Sequence, residues 1–233
     1  MKRFIVAVLC IAFAVGLASA PAAAYDKELH GQVSFDFWFS DMELSVAGTD
    51  YDSDQTYVPM IALDIEFAPG WSAAIEYANG LSDDITPTTA ASDEMESDKF
   101  LIGVEYGWEC GWFANFAWQQ YQFDETYPGG NDSVDIDGIR LGGGYAFDFE
   151  NSNWGGAIEA GFGISNDSSI SSSGASLSGD ADVLDLAVTF DYTWDSGWKA
   201  DLGYRYVNMD VDILGASLDI DLTGPFFGFG YVW

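Results

Sequence analysis

One five-residue phrase recurs along this chain. Phe67-Ala-Pro-Gly-Trp71, Trp108-Glu-Cys-Gly-Trp112 and Trp194-Asp-Ser-Gly-Trp198 each run aromatic, two residues, glycine, tryptophan, and Trp154 stands at the spacing of a fourth, looser copy. A three-residue loop ending in glycine suits a tight hairpin, because glycine adopts the left-handed conformation that its bulge requires. Bulky aromatics on both sides of every turn are not what a water-soluble hairpin needs. They fit a sheet whose strands pass from hydrocarbon to lipid headgroups at that level. The phrase therefore predicts strands that cross a membrane, with Phe67, Trp71, Trp108, Trp112, Trp154, Trp194 and Trp198 as an interface girdle.

Between the turns lie segments of alternating polarity, each near the roughly 9–11 residues that a tilted strand needs to cross a bilayer. They fall at 33–46, 56–67, 71–80, 99–108, 112–123, 136–147, 154–164, 183–194, 198–208 and 218–233. Connections alternate between short aromatic-flanked turns and longer acidic loops, the asymmetry of outer-membrane barrels. The fold class expected is all-β: a transmembrane antiparallel up-and-down β-barrel of ten strands. Eight strands is the alternative, if the first or last pair is a loop hairpin. A soluble propeller is the rival, since the tryptophans repeat near its blade length of about 40–45 residues. A blade needs four short strands per repeat, however, and here there are two long ones.

Charge location sharpens the expectation. Along 184–194 the even positions are Leu184, Leu186, Val188, Phe190, Tyr192 and Trp194, while the odd ones include Asp185 and Asp191. Along 99–108, Phe100, Ile102, Val104, Tyr106 and Trp108 alternate with Lys99, Leu101, Gly103, Glu105 and Gly107. The apolar face of the strand cores carries no charge. The other face carries Asp36, Asp64, Glu66, Glu76, Lys99, Glu105, Arg140, Glu159, Asp185, Asp191, Lys199, Asp201 and Arg205. A barrel in lipid keeps such charges inside, where water or counter-charges satisfy them. Asp64, Glu76, Glu105, Arg140, Glu159, Lys199 and Arg205 are thus the candidate lumen charges. Unpaired charge in a confined space is costly, so a central layer of ion pairs is expected. A narrow constriction favouring cations is the functional alternative, acids outnumbering bases on that face.

Both ends of the chain carry signals. Lys2-Arg3, an apolar run from Phe4 to Leu17 and Ala22-Ala-Ala24 read as a secretory signal over 1–24, leaving 25–233 as the barrel. At the other end, Phe226-Phe-Gly-Phe-Gly-Tyr-Val-Trp233 resembles the C-terminal signal that the barrel-assembly machinery reads in bacterial outer-membrane proteins. Gly228, Tyr231 and Trp233 match it, whereas Phe226 replaces its polar residue and tryptophan its usual terminal phenylalanine. The resemblance is to small outer-membrane β-barrels, broadly the OmpA-transmembrane-domain and OmpW-like group. It implies the outer membrane of a Gram-negative envelope, folding through the periplasm, and contact with lipid and lipopolysaccharide.

Composition narrows the function classes. The chain has 233 residues, 38 acids against 7 bases and a net charge of −31, which repels nucleic acid. Acids crowd the expected loops: Asp50, Asp52 and Asp54; Asp83 to Asp98; Asp124 to Asp135; Asp180 and Asp182. Asp50 to Asp54 hints at calcium, but Gln55 and Ile61 stand where an EF-hand needs glycine and glutamate. No dedicated metal site or cofactor is expected, only weak divalent-cation binding at the acidic loops. The Ser- and Gly-rich stretch 165–179 reads as a mobile loop.

No enzyme is expected. The one histidine, His30, lies at the short-turn end of the first strand, whereas ten-stranded outer-membrane proteases gather Asp and His at the opposite rim. Cys110 has no partner cysteine beyond the signal. Two functions stay open: an envelope structural protein or narrow porin-like channel with a cation-leaning lumen, and an anchor displaying acidic loops to a ligand or partner.

Overall fold

In the computed structural model, residues 30–46, 49–52, 56–83, 94–127, 130–150, 152–172, 175–213 and 216–233 are described. The expected signal at 1–24 and parts of the expected acidic loops, including Asp54, Asp84 and Asp93, lie outside them. Among the described residues eleven strands follow one another: β1 (Gly31–Val46), β2 (Thr49–Asp52), β3 (Thr56–Ala68), β4 (Trp71–Asp83), β5 (Glu94–Gly107), β6 (Trp112–Tyr127), β7 (Gly130–Asp148), β8 (Trp154–Ser172), β9 (Ala175–Thr193), β10 (Trp198–Ile213) and β11 (Ala216–Val232). All pairs are antiparallel and each barrel strand pairs with its neighbour in sequence. β2 is a short extension paired only with the far end of β1. β11 returns to β1, running from Gln32↔Val232 to Val46↔Leu218, and closes a ten-stranded barrel. Closure removes the sheet edges that a membrane would not tolerate.

The repeated phrase forms the turns at one end. Gly70, Gly111 and Gly197 have φ of 75°, 90° and 86°, the left-handed region that a side chain would strain. The Gly111 and Gly197 amides donate back to Trp108 O and Trp194 O, each at 2.9 Å. Each of the three glycine carbonyls then accepts an N–H from the next hairpin, from Gly107, Ala146 and Val232 respectively, all at 2.8 Å. The turn at Trp154 is built differently: Ser152 Oγ donates to Phe149 O at 3.1 Å and accepts from the Trp154 amide at 3.1 Å. Tyr106, Tyr145, Tyr192 and Tyr231 pack against Trp71, Trp112, Trp154 and Trp198, so the girdle is a run of tryptophan–tyrosine pairs.

The other ends of the strands depart from expectation. The stretch 165–179 is not a loop: β8 continues to Ser172 and β9 begins at Ala175, paired through Ser168↔Gly179 and Ser169↔Ser178. β7, β10 and β11 likewise extend past the expected boundaries, so Asp124, Glu125, Asp132, Asp135, Asp180 and Asp182 sit on strands rather than loops. The cause is a reversal of polarity along each strand. On β10, Leu202 and Tyr204 face outward and Arg205 inward; beyond that level Val207, Met209, Val211 and Ile213 face inward and Asp210 and Asp212 outward. On β11, Phe227, Phe229 and Tyr231 are exposed, whereas Leu218, Ile220 and Leu222 are buried. The short-turn half is therefore apolar outside and charged inside, and the long-hairpin half is the opposite. A second aromatic belt marks the reversal, with Phe39 edge-on to Tyr57 (5.2 Å) and Phe100 beside Trp118 (5.9 Å).

Inside the long-hairpin half an apolar cluster fills the barrel. Trp38 and Met42 from β1, Val58 and Met60 from β3, Phe123 from β6, Ile136 from β7 and Val183 from β9 meet Val207, Met209 and Val211 of β10 and Ile220 of β11. Phe123, Ile136, Val207, Met209, Val211 and Ile220 are each no more than 2% exposed. This half folds as a water-soluble barrel does, by burying alternate side chains.

Candidate functional site

Directly below the apolar cluster, six charged side chains from six strands meet in the lumen. Asp185 on β9 is the hub. Arg205 of β10 donates to it twice, Nε to Oδ1 at 3.0 Å and Nη2 to Oδ2 at 2.5 Å, in the forked geometry that guanidinium and carboxylate share. Lys99 Nζ of β5 lies 3.5 Å from the same carboxylate, and Arg140 Nη2 of β7 lies 3.8 Å away. Glu76 of β4 bridges from the opposite wall to Lys99 (2.8 Å) and Arg205 (3.1 Å). Arg140 completes the layer by donating to Glu159 of β8 at 2.7 Å and to Asn115 Oδ1 at 2.8 Å. The cations also rest on aromatic faces, Arg205 over Trp38 (5.7 Å) and Lys99 over Tyr121 (5.6 Å). Buried charge is held only when so compensated, and the alternation places it at this depth.

Of the candidate lumen charges, Glu76, Arg140, Glu159 and Arg205 are brought together here. Lys99 and Asp185, inward by alternation but absent from that candidate set, complete the layer. Asp64, Glu105 and Lys199 lie nearer the short turns; Lys199 pairs with Asp191 at 3.6 Å. Glu66 does not serve the lumen: its Oε1 accepts the Gly70 amide at 3.3 Å and trims the turn beside a bulge. Below the layer a cavity of about 300 Å³ reaches towards the short-turn end, lined by Asp36, Asp64, Glu105, Glu159, Lys199 and Asp201 among others.

The outer wall of the long-hairpin half is the second charged surface. Register sets Asp137, Asp167, Asp180 and Asp212 directly opposite one another in a row across β7 to β10. A second row runs Asp182, Asp210, Asp219 across β9 to β11. Like charges so placed oppose folding of that wall. Partial burial, then Asp219 and Asp212, pushes the Asp210 carboxyl up; partial burial, then Asp124 and Asp137, does the same for Asp135. Elsewhere neutral donors serve the acids, as Tyr206 Oη does Asp221 at 2.7 Å and Asn79 Nδ2 does Asp98 at 2.6 Å.

The girdle residues Phe67, Trp71, Trp108, Trp112, Trp154, Trp194 and Trp198 are all exposed at the short-turn rim. Gly228, Tyr231 and Trp233 lie on or beside the closing strand, with Gly31 and Trp233 joined by two backbone hydrogen bonds of 3.0 and 3.1 Å. His30 is exposed at that rim, its carbonyl accepting the Glu66 amide at 2.9 Å.

No protein-family model and no curated protein matches the chain. Solved structures do. The outer-membrane protease OmpT of Escherichia coli matches with a TM-score of 0.57 and 12% identity, over 88% of this chain and 96% of OmpT. The fold is that of outer-membrane β-barrels. The β-domain of the Bordetella autotransporter BrkA matches with a TM-score of 0.52 and 14% identity, over 88% of this chain and 99% of that domain. At such identities the likeness is one of fold alone. It agrees with the apolar outer wall and paired girdles in making this chain an integral outer-membrane barrel.

Proposed function

We propose that the protein is a closed outer-membrane anchor whose working surface is the acidic outer wall raised beyond the lipid. The observation that carries this reading is the polarity reversal. It puts a packed apolar cluster across the lumen and, at the same height, rows of aspartate on the outside. Cationic partners suit that wall: basic segments of other proteins, or divalent ions bridging to lipopolysaccharide phosphates. Nucleic acid does not. Gly228, Tyr231 and Trp233 serve assembly in this reading, and no residue serves catalysis. The likeness to the OmpA-transmembrane-domain and OmpW-like group rests on those C-terminal residues, and joins a ten-stranded wall to a type of barrel familiar with eight.

The second reading, a narrow cation-leaning channel, draws on the charged cavity under the ionic layer. Single-channel recording of the refolded mature protein under a potassium chloride gradient separates the two. A folded, electrically silent barrel is expected. Discrete cation-selective openings that change in E76Q would overturn the closed anchor in favour of the channel.

A further inference from the structure

Backbone pairing lapses at two places in the wall, both level with the second aromatic belt. Between β1 and β11 it stops at Trp38↔Phe226 and resumes at Asp41↔Thr223, skipping Phe39, Ser40, Gly224 and Pro225. Between β3 and β4 it stops at Met60↔Ala78 and skips Val58 and Pro59; beyond them, among the described residues, only Tyr57↔Leu81 remains. Each lapse holds a proline. The Glu66 amide donates to His30 O on the β1 side, so alternation turns the even positions of β3 towards β1 and Pro59 towards β4. The Val232 amide donates to Gly197 O on the β10 side, which by the same alternation turns Pro225 towards β1. Both prolines therefore withhold an N–H from the seam that lapses.

The two seams are not equally held. Trp38 Nε1 reaches across the first to donate to Gly224 O at 3.1 Å, and pairing then continues from Asp41↔Thr223 to Val46↔Leu218. At the second, Asn79 beside the lapse gives its side-chain amide to Asp98 of β5 instead, at 2.6 Å. Behind this seam lies the apolar cluster, to which Val58, Met60 and Ala78 all belong. In front of it stand the rings of Tyr57, Phe37 and Phe39, at the level where the apolar outer wall ends. Met42, Met60 and Met209 sit in the cluster, and such unbranched side chains repack around varied apolar shapes.

We propose that the β3–β4 seam is a lateral opening through which an acyl chain of a bilayer lipid, from the leaflet beside the long hairpins, enters the apolar lumen. The chain passes from one apolar medium to another, so no desolvation opposes it. What resists it is the pairing of the seam, which Pro59 has thinned. The ionic layer floors the lumen below, so access is from the side and the barrel stays closed along its axis. The opening does not depend on what the acidic outer wall binds.

Photolabelling from the lipid tests this. The full barrel is refolded in phosphatidylcholine vesicles doped with a phosphatidylcholine bearing a diazirine along one acyl chain, then irradiated, digested and mapped by mass spectrometry. Adducts are expected on the inner Met60 and Met209 as well as on the lipid-facing Ile158 and Leu202. Tyr57 and Leu81 stand opposite each other in register, at a separation that a disulfide spans. Cys110 is exposed at the opposite rim, away from them. Oxidised Y57C/L81C should lose the Met60 and Met209 adducts and keep those on Ile158 and Leu202, and reduction should restore the lost ones. Should it fail to refold, P59A, which returns an N–H to the seam, should lower the same inner adducts. Inner adducts undiminished in these variants overturn the opening, as does a parent protein labelled on its lipid-facing wall alone.

Discussion

At the scale of the residue, Asp185 holds the most charge in place. Three cations converge on its carboxylate, and removing that charge leaves Lys99, Arg140 and Arg205 under-compensated in a dry interior. D185N should therefore destabilise the folded barrel by roughly 3–5 kcal/mol, measured as the shift in urea unfolding in detergent. E159Q, at the more open edge of the layer, should cost clearly less. Sequence alternation was enough to put Asp185 and Lys99 on the inner wall. It could not tell that Glu76 would reach Arg205 across the lumen while Asp64 and Lys199 would not, because depth depends on strand shear as well as on position along each strand. On the outer wall, partial burial and neighbouring aspartates push the Asp210 and Asp135 carboxyls up from their ordinary value. The folded chain then binds protons that the unfolded chain would release, so stability falls as pH rises through the carboxylate range. Lowering the pH from about 7 to about 4.5 should raise the urea midpoint of the long-hairpin end, and D210N should mimic this at neutral pH. A midpoint that falls steadily with acid in both proteins would contradict it.

At the scale of the element, each strand obeys two rules in succession, and that governs what a sequence reading could see. The turns, the strand count and the inward charges were legible because glycine before tryptophan is a local signal and alternation holds one phase through 198–204. Beyond Arg205 the phase flips: Val207, Met209 and Val211 take the inner face. A reading that keeps one phase ends the strand there and turns the remainder into loop. Serine-rich composition then made 165–179 look mobile, although its backbone pairs like the rest. The same charge should have opposite consequences on either side of the flip. I158K, on the lipid-facing wall of β8, should cost roughly 2–4 kcal/mol in lipid vesicles. S169K, farther along the same strand and opposite Asp135, should cost no more than about 0.5 kcal/mol. Equal effects at both positions would refute the reversal as the membrane boundary. In the turns, G111A forces a side chain into the left-handed region against the Ala146 carbonyl. A loss of at least about 1–2 kcal/mol is expected, read from the same unfolding curves.

At the scale of the whole molecule, the reversal gives the barrel a waterline. Below it the wall shows the bilayer only apolar and aromatic side chains; above it stand rows of aspartate, and tight tryptophan turns fix the lower limit. A smooth apolar cylinder could ride higher or lower as its membrane thickens or thins. This one cannot sink by even one pair of residues without drawing carboxylates into hydrocarbon, and it cannot rise without lifting its tryptophans off the opposite headgroups. The bilayer must fit the protein. Vesicles with longer acyl chains should therefore yield less folded barrel than vesicles matched to the span between the two aromatic belts. In an envelope of uneven thickness, such a molecule would be sorted by draught alone to the patches that float it level.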